Sequence, residues 1–92
     1  MSGERAIQAT VRGLVQGVGF RYQTRRAAEQ IGATGWVRNS ADGSVEVLAQ
    51  GAPAAVEAMI QFLETGPPSA QVASIEITEV PLEADRTGFQ VT

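Results

Sequence analysis

The chain has 92 residues, 43% of them hydrophobic, a formal net charge of −3, and neither histidine nor cysteine. Such a length makes one domain with one core, burying a little more than roughly 60% of the surface that the unfolded chain exposes. The missing side chains exclude disulfides, thiol nucleophiles, the usual zinc and transition-metal sites and the commonest general base; the acidic balance disfavours a nucleic-acid or anionic-membrane partner.

All seven basic residues are arginine. With the abundance of Ala, Gly and Val, that reflects the codon usage of a GC-rich genome and carries no functional information. No stretch approaches the roughly 20 apolar residues of a membrane span. Met1 to Ala6 is short and polar, unlike a signal peptide. The expectation is a free-standing cytoplasmic protein.

In chain order, Ile7, Ala9, Val11, Gly13 and Val15 alternate with Gln8, Thr10 and Arg12, the period of a half-buried strand. Phe20, Thr24, Ala27, Ala28 and Ile31 then fall at helical spacing, and Gly32 caps the helix end. A strand is predicted over Thr34–Asn39. Ser40-Ala41-Asp42-Gly43 has turn chemistry, and Val45, Val47 and Ala49 alternate to complete a hairpin. Pro53 opens a second helix, whose apolar stripe is Val56, Met59, Ile60 and Leu63. Gly66-Pro67-Pro68 stops it. Ala73, Ile75 and Ile77 alternate with Ser74, Glu76 and Thr78 as another strand, Pro81 to Gly88 is a loop, and Phe89 and Val91 mark a short last strand. The order β-α-β-β-α-β is that of an α+β, ferredoxin-like sandwich. It predicts an antiparallel sheet, two helices on one face, and a short extra C-terminal strand, in a single domain over 1–92. Fold alone does not give function.

The segment with most chemical content joins the first strand to the first helix: Gly13-Leu14-Val15-Gln16-Gly17-Val18-Gly19-Phe20-Arg21. It reads two ways. One is a tight strand-to-helix turn, where glycine supplies positive φ. The other is an anion cradle: successive backbone N–H groups lining a concavity, a helix N-terminus, and the planar fork of Arg21. It is neither a Walker loop nor a dinucleotide fingerprint, since it has no lysine and Tyr22 replaces the third glycine. A cation at a helix N-terminus opposes the macrodipole, at a cost of about 0.3–1 kcal/mol that a bound anion would relieve. Arg25 and Arg26 read as solvated or steering charges. Asn39, before a turn, reads on position alone as an Asx-type cap, and Trp36 as core or sheet surface. Glu46, Glu57, Glu64, Glu76 and Glu79 form no acid–base pair and no hard-cation site.

These residues match a family. Gly13 to Arg21 resembles the first acylphosphatase signature, G-x-V-Q-G-V-x-F-R. Gly35-Trp36-Val37-Arg38-Asn39-Ser40-Ala41-Asp42-Gly43-Ser44-Val45-Glu46 resembles the second, G-W-V-[RK]-N-x-x-D-G-x-V-E, at a similar separation. Gly51, Gly66-Pro67-Pro68-Ser69-Ala70 and Gly88-Phe89 resemble weaker landmarks, so nearly the whole chain is covered. The family's fold is the same ferredoxin-like sandwich. The resemblance implies metal-independent hydrolysis of acyl phosphates to carboxylate and inorganic phosphate, by a monomer with no cofactor. It implies that Arg21 and the backbone amides of Val15, Gln16, Gly17, Val18, Gly19 and Phe20 bind the phosphoryl group. It also implies that Asn39 orients the attacking water. Phe89-Gln90-Val91-Thr92 lacks the basic residue with which many relatives end, so the family assigns this end no role here.

Three other readings are open. A domain that binds phosphate or carboxylate without hydrolysing it would keep the cradle. An RNA-recognition module would share the strand order, but Val45–Gln50 carries no aromatic side chain on which bases could stack. A part of a larger carbamoyl-handling protein would also contain this domain.

Overall fold

The computed structural model describes residues 3–92. Its elements run β1 (Arg5–Leu14), α1 (Phe20–Ile31), β2 (Thr34–Asn39), β3 (Val45–Gly51), α2 (Pro53–Thr65), β4 (Gln71–Glu79) and β5 (Phe89–Val91). The expected β-α-β-β-α-β order with a short last strand is the order found. The strands form one sheet ordered β4-β1-β3-β2-β5.

The alternation in β1 and β3 sorts side chains by face. Ile7, Ala9, Val11, Val45, Val47 and Ala49 are fully buried and meet Phe20 and Ala28 of α1 and Val56, Met59 and Leu63 of α2 in one core. Both helices therefore cover the same face. Thr24 is buried on α1, but its hydroxyl donates to the Phe20 carbonyl at 2.8 Å, so no polar group is stranded. Gly32 ends α1 with φ 94°, donating its N–H to the Ala28 carbonyl.

The opposite face carries Gln8, Thr10, Arg12, Arg38 and Glu46. Trp36 lies on it half-buried, with the Arg38 guanidinium 4.6 Å from its ring centroid. Most carboxylates noted in the sequence are tied down: Glu46 to Arg38 and Glu76 to Arg12 on this face, and Glu79 and the α2 residue Glu57 to Arg5 at the helix-covered side.

Two features lie beyond the expected order. First, the four strands of the β-α-β-β-α-β order pair antiparallel, as expected, and the extra strand makes the sheet mixed. β1 pairs antiparallel with β3 and β4, and β2 with β3, but β5 pairs parallel with β2. β4 runs opposite to β1, and the chain after it crosses the sheet to the far edge before turning back along β2. The crossing is stitched to β3: Gln50, 4% exposed, donates to the Glu83 carbonyl and accepts from the Glu83 N–H, at 2.8 and 2.9 Å.

Second, Ala73 does not face the core. Arg12 pairs with Ser74, and Gly13 with Val72, so Ala73 is an extra residue in β4. A one-residue bulge reverses the phase of side chains beyond it. Val72 thus joins Ile75 and Ile77 against the core, and Ala73 is exposed. Gly13 makes this possible. At its φ of 136°, a Cβ would lie 2.1 Å from the Gln71 carbonyl oxygen and 2.8 Å from the Ala73 nitrogen. Gly13→Ala is expected to lower the unfolding free energy by about 2–4 kcal/mol through backbone strain and displacement. Urea denaturation measures this, and an unchanged midpoint would show that β4 can back away freely.

Candidate active site

Val15 and Phe20, each 1% exposed, anchor the two ends of the β1–α1 loop in the core. Gln16 to Gly19 arc outward between them. Gly17 and Gly19 hold φ of 75° and 78°, with open space where a Cβ would stand. Their requirement is therefore conformational, and a side chain at either would cost about 1–2 kcal/mol in the left-handed region. Gly19 is the N-cap of α1; no side chain caps the helix and its first turn holds no acidic residue. The first N–H groups of a helix have no intrahelical partner, so this end is left electropositive and unsatisfied from within.

The loop is strutted on two sides. The Gln16 side-chain amide donates to the carbonyls of Ser40 and Ser44, both at 2.8 Å, gripping the β2–β3 turn directly after Asn39. The Val18 carbonyl accepts the Ser69 hydroxyl at 2.7 Å, and Val18 packs on the core. The run 15–20 therefore divides. Val15, Gly17, Gly19 and Phe20 line a cavity of about 180 Å³ together with Arg21, Tyr22, Asn39 and Val91, while the side chains of Gln16 and Val18 hold the loop in place.

Arg21 and Asn39, far apart in sequence, line this same cavity. Asn39 shares the inner face of β2 with Gly35 and Val37, which brings it toward the start of α1. The turn after it is closed by Asp42, whose Oδ1 accepts the Ser44 N–H at 3.0 Å and the Ser44 hydroxyl at 2.6 Å. The Asx turn expected of Asn39 thus belongs to Asp42. Arg21 Nη1 donates to the Thr92 carbonyl at 3.1 Å, while the Thr92 N–H donates to Val37 at 2.9 Å. The last strand therefore supports Arg21 through backbone atoms. Sequence reasoning missed this because backbone contacts leave no residue signature.

Charge is distributed unevenly. Among the described residues, Arg5, Arg12, Arg25, Arg38 and Arg86 are paired to carboxylates. Arg21 and Arg26 are not, and no carboxylate lines the cavity. A larger depression of about 430 Å³ lies over Glu83 to Gln90, but Glu83 and Asp85 line it and Arg86 is already held by Glu83. Its own carboxylates answer its charge. The smaller cavity is the one equipped for an anion.

The acylphosphatase family model matches residues 7–91. The chain belongs to the acylphosphatase family. An acylphosphatase of Rhizobium etli is 47% identical over 87 residues, covering 95% of this chain and 93% of that one. The structure of an acylphosphatase from Coxiella burnetii superposes with a TM-score of 0.91 at 39% identity, over 97% of this chain and 93% of its own. The acylphosphatase from Bacillus subtilis gives 0.90 at 34% identity, over 96% and 98%. Matches of this extent make the chain a hydrolase of the acylphosphatase kind.

Two predictions follow the geometry of the loop and turn. Gln16→Leu removes both side-chain hydrogen bonds to the β2–β3 turn and is expected to lower stability by about 1–3 kcal/mol, read by urea denaturation. The Ser44 hydroxyl, the Ser44 N–H and the Arg12 guanidinium together hold the Asp42 carboxyl down at about 2. A depressed folded-state value contributes stability in full above the unfolded value of roughly 3.9, and loses it as pH falls toward the folded one. Between about pH 4 and pH 2, the melting temperature of wild type should therefore fall more steeply than that of Asp42→Asn. Parallel curves in a pH series of thermal melts would contradict this.

Proposed function

We propose that this chain hydrolyses the carboxyl–phosphate bond of acyl phosphates without a metal ion, at the cavity between the β1–α1 loop and β2. The observation that carries the reading is the meeting of Arg21, Asn39 and two positive-φ glycines in one small cavity that no carboxylate lines. The Arg21 guanidinium and the amides of the loop and helix start hold the phosphoryl oxygens. The Asn39 carboxamide orients a water in line with the leaving group.

The chemistry asks little beyond this. An acyl phosphate is already activated, and its leaving group is a stable carboxylate that needs no acid. Phosphoryl transfer then rests on positioning and charge stabilisation. Water oxygen bonds to phosphorus, the phosphorus–acyl oxygen bond breaks, and the carboxylate leaves with the electron pair. A phosphoryl oxygen of the substrate takes the proton from the water, and inorganic phosphate departs. This explains how a chain without histidine or cysteine performs hydrolysis. We extend the proposal to a single domain over 1–92, acting as a monomer in the cytoplasm. It agrees with the fact that no helix among the described residues is long and apolar enough to cross a membrane.

The test is hydrolysis of acetyl phosphate in excess EDTA by wild type, Arg21→Gln and Asn39→Ala. Removal of one preorganised charge-stabilising group typically lowers kcat by ~10²–10³, which is the expected loss in each variant. Circular dichroism should be unchanged, because Arg21 and Asn39 lie outside the core. Near-wild-type turnover in either variant would sink the assigned roles. Phosphate binding without turnover by wild type would leave a non-hydrolytic anion-binding domain.

A further inference from the structure

Four large hydrophobic side chains stand exposed among the described residues: Leu14, Tyr22, Leu82 and Val91. Single exposed apolar residues need no explanation. Two of these four, however, line the one small cavity that also holds Arg21 and Asn39. Tyr22 is 59% exposed and Val91 38% exposed, so neither is there to fill the core.

They come from different parts of the fold. Tyr22 follows Arg21 on α1, and successive helical side chains diverge by about 100°, so the ring and the guanidinium leave the helix in different directions. Val91 comes from β5, opposite Val37 in the parallel pair with β2. The lining of the cavity thus offers two kinds of chemistry. One is cationic and rich in backbone donors: Arg21, Gly17 and Gly19. The other is apolar and uncharged: Tyr22 and Val91.

We infer that Tyr22 and Val91 form the wall that receives the acyl group, and that they select acyl phosphates whose acyl part is uncharged and apolar, planar aromatic ones best. This rests on the hydrolase reading above and names its substrate class. A small polar acyl group leaves both side chains in water, and gains nothing from them. An acyl group bearing its own carboxylate would compete with the phosphoryl group for Arg21, the sole charged residue lining the cavity. An aromatic acyl group offsets against the Tyr22 ring and removes apolar area from water on both sides.

The experiment compares kcat/KM for benzoyl phosphate and acetyl phosphate in wild type, Tyr22→Ala, Tyr22→Phe and Val91→Thr. The intrinsic reactivity of the two acyl phosphates cancels when each variant's benzoyl-to-acetyl ratio is divided by that of wild type. Tyr22→Ala is expected to lower the ratio about tenfold, and Tyr22→Phe to leave it within about twofold, since the ring and not the hydroxyl makes the contact. Val91→Thr keeps the β-branched shape, adds a hydroxyl, and should lower the ratio about threefold. Binding of benzylphosphonate and methylphosphonate, measured by calorimetry on the same four proteins, gives a readout that needs no turnover. An unchanged ratio in Tyr22→Ala overturns the wall, and so does an equal loss for both acyl phosphates, which would place Tyr22 at the phosphoryl end. Absence of turnover by wild type, with the phosphonate ratio still following Tyr22, overturns hydrolysis and keeps the wall.

Discussion

Val15 and Phe20 are each 1% exposed, and of the four residues between them only Val18 reaches back to the core. Burial of each anchor is worth about 1.5–3 kcal/mol, so the chain holds both and the intervening loop must bend outward. It does so with two glycines at positive φ. Backbone donors are therefore presented to solvent at the start of α1 as a consequence of packing. The cradle needs no side chain of its own. The residues that make it are those that allow the bend, and the residues that hold it, Gln16 and Val18, act on the turn after β2 and on the segment after α2.

Around this loop the chain departs from the rules that stabilise helices. α1 begins without a side-chain cap and without an acidic residue in its first turn, while Arg21, Arg25 and Arg26 crowd its N-terminal half. α2 also begins without a side-chain cap or an acidic residue in its first turn, so what sets α1 apart is the arginine at its start. Gly32 caps α1, Pro53 opens α2, and most arginines sit beside a carboxylate. The departure peculiar to α1 is its run of cations against the helix dipole, and a local departure of that kind marks a site rather than a poor design. Arg21, with no carboxylate side chain beside it, and the uncapped amides lack the same thing, an anion, and the residues that carry them line one cavity.

The reading from sequence was strongest where one residue's chemistry acts locally. Both helices, with their glycine and proline punctuation, stand where periodicity put them. The two signatures also pointed to Arg21 and Asn39, which line one cavity. It failed at β4, where strict alternation groups Ala73 with Ile75 and Ile77. The extra residue opposite Gly13 is invisible in the alternation of β4 alone, since a bulge is a property of two strands. The turn over Ser40 to Gly43 was legible, but not which side chain closes it. Asn39 and Asp42 both suit an Asx turn, and only the register of the hairpin shows that Asp42 closes it.

Composition decided the kind of chemistry open to this chain: with no histidine and no cysteine, arginine, amides and backbone are left to act on an anion. Periodicity and turn residues decided the order of elements, because those signals are local in the chain. The tertiary structure alone decided the parallel pairing of β5, which puts Val91 in the cavity and the Thr92 carbonyl against Arg21. It alone placed Gln16 across to the far turn and brought Tyr22 beside Asn39. These are contacts between residues distant in sequence, many through backbone atoms that every residue carries. Their partners are chosen by the packing of the sheet, which no local pattern of side chains encodes.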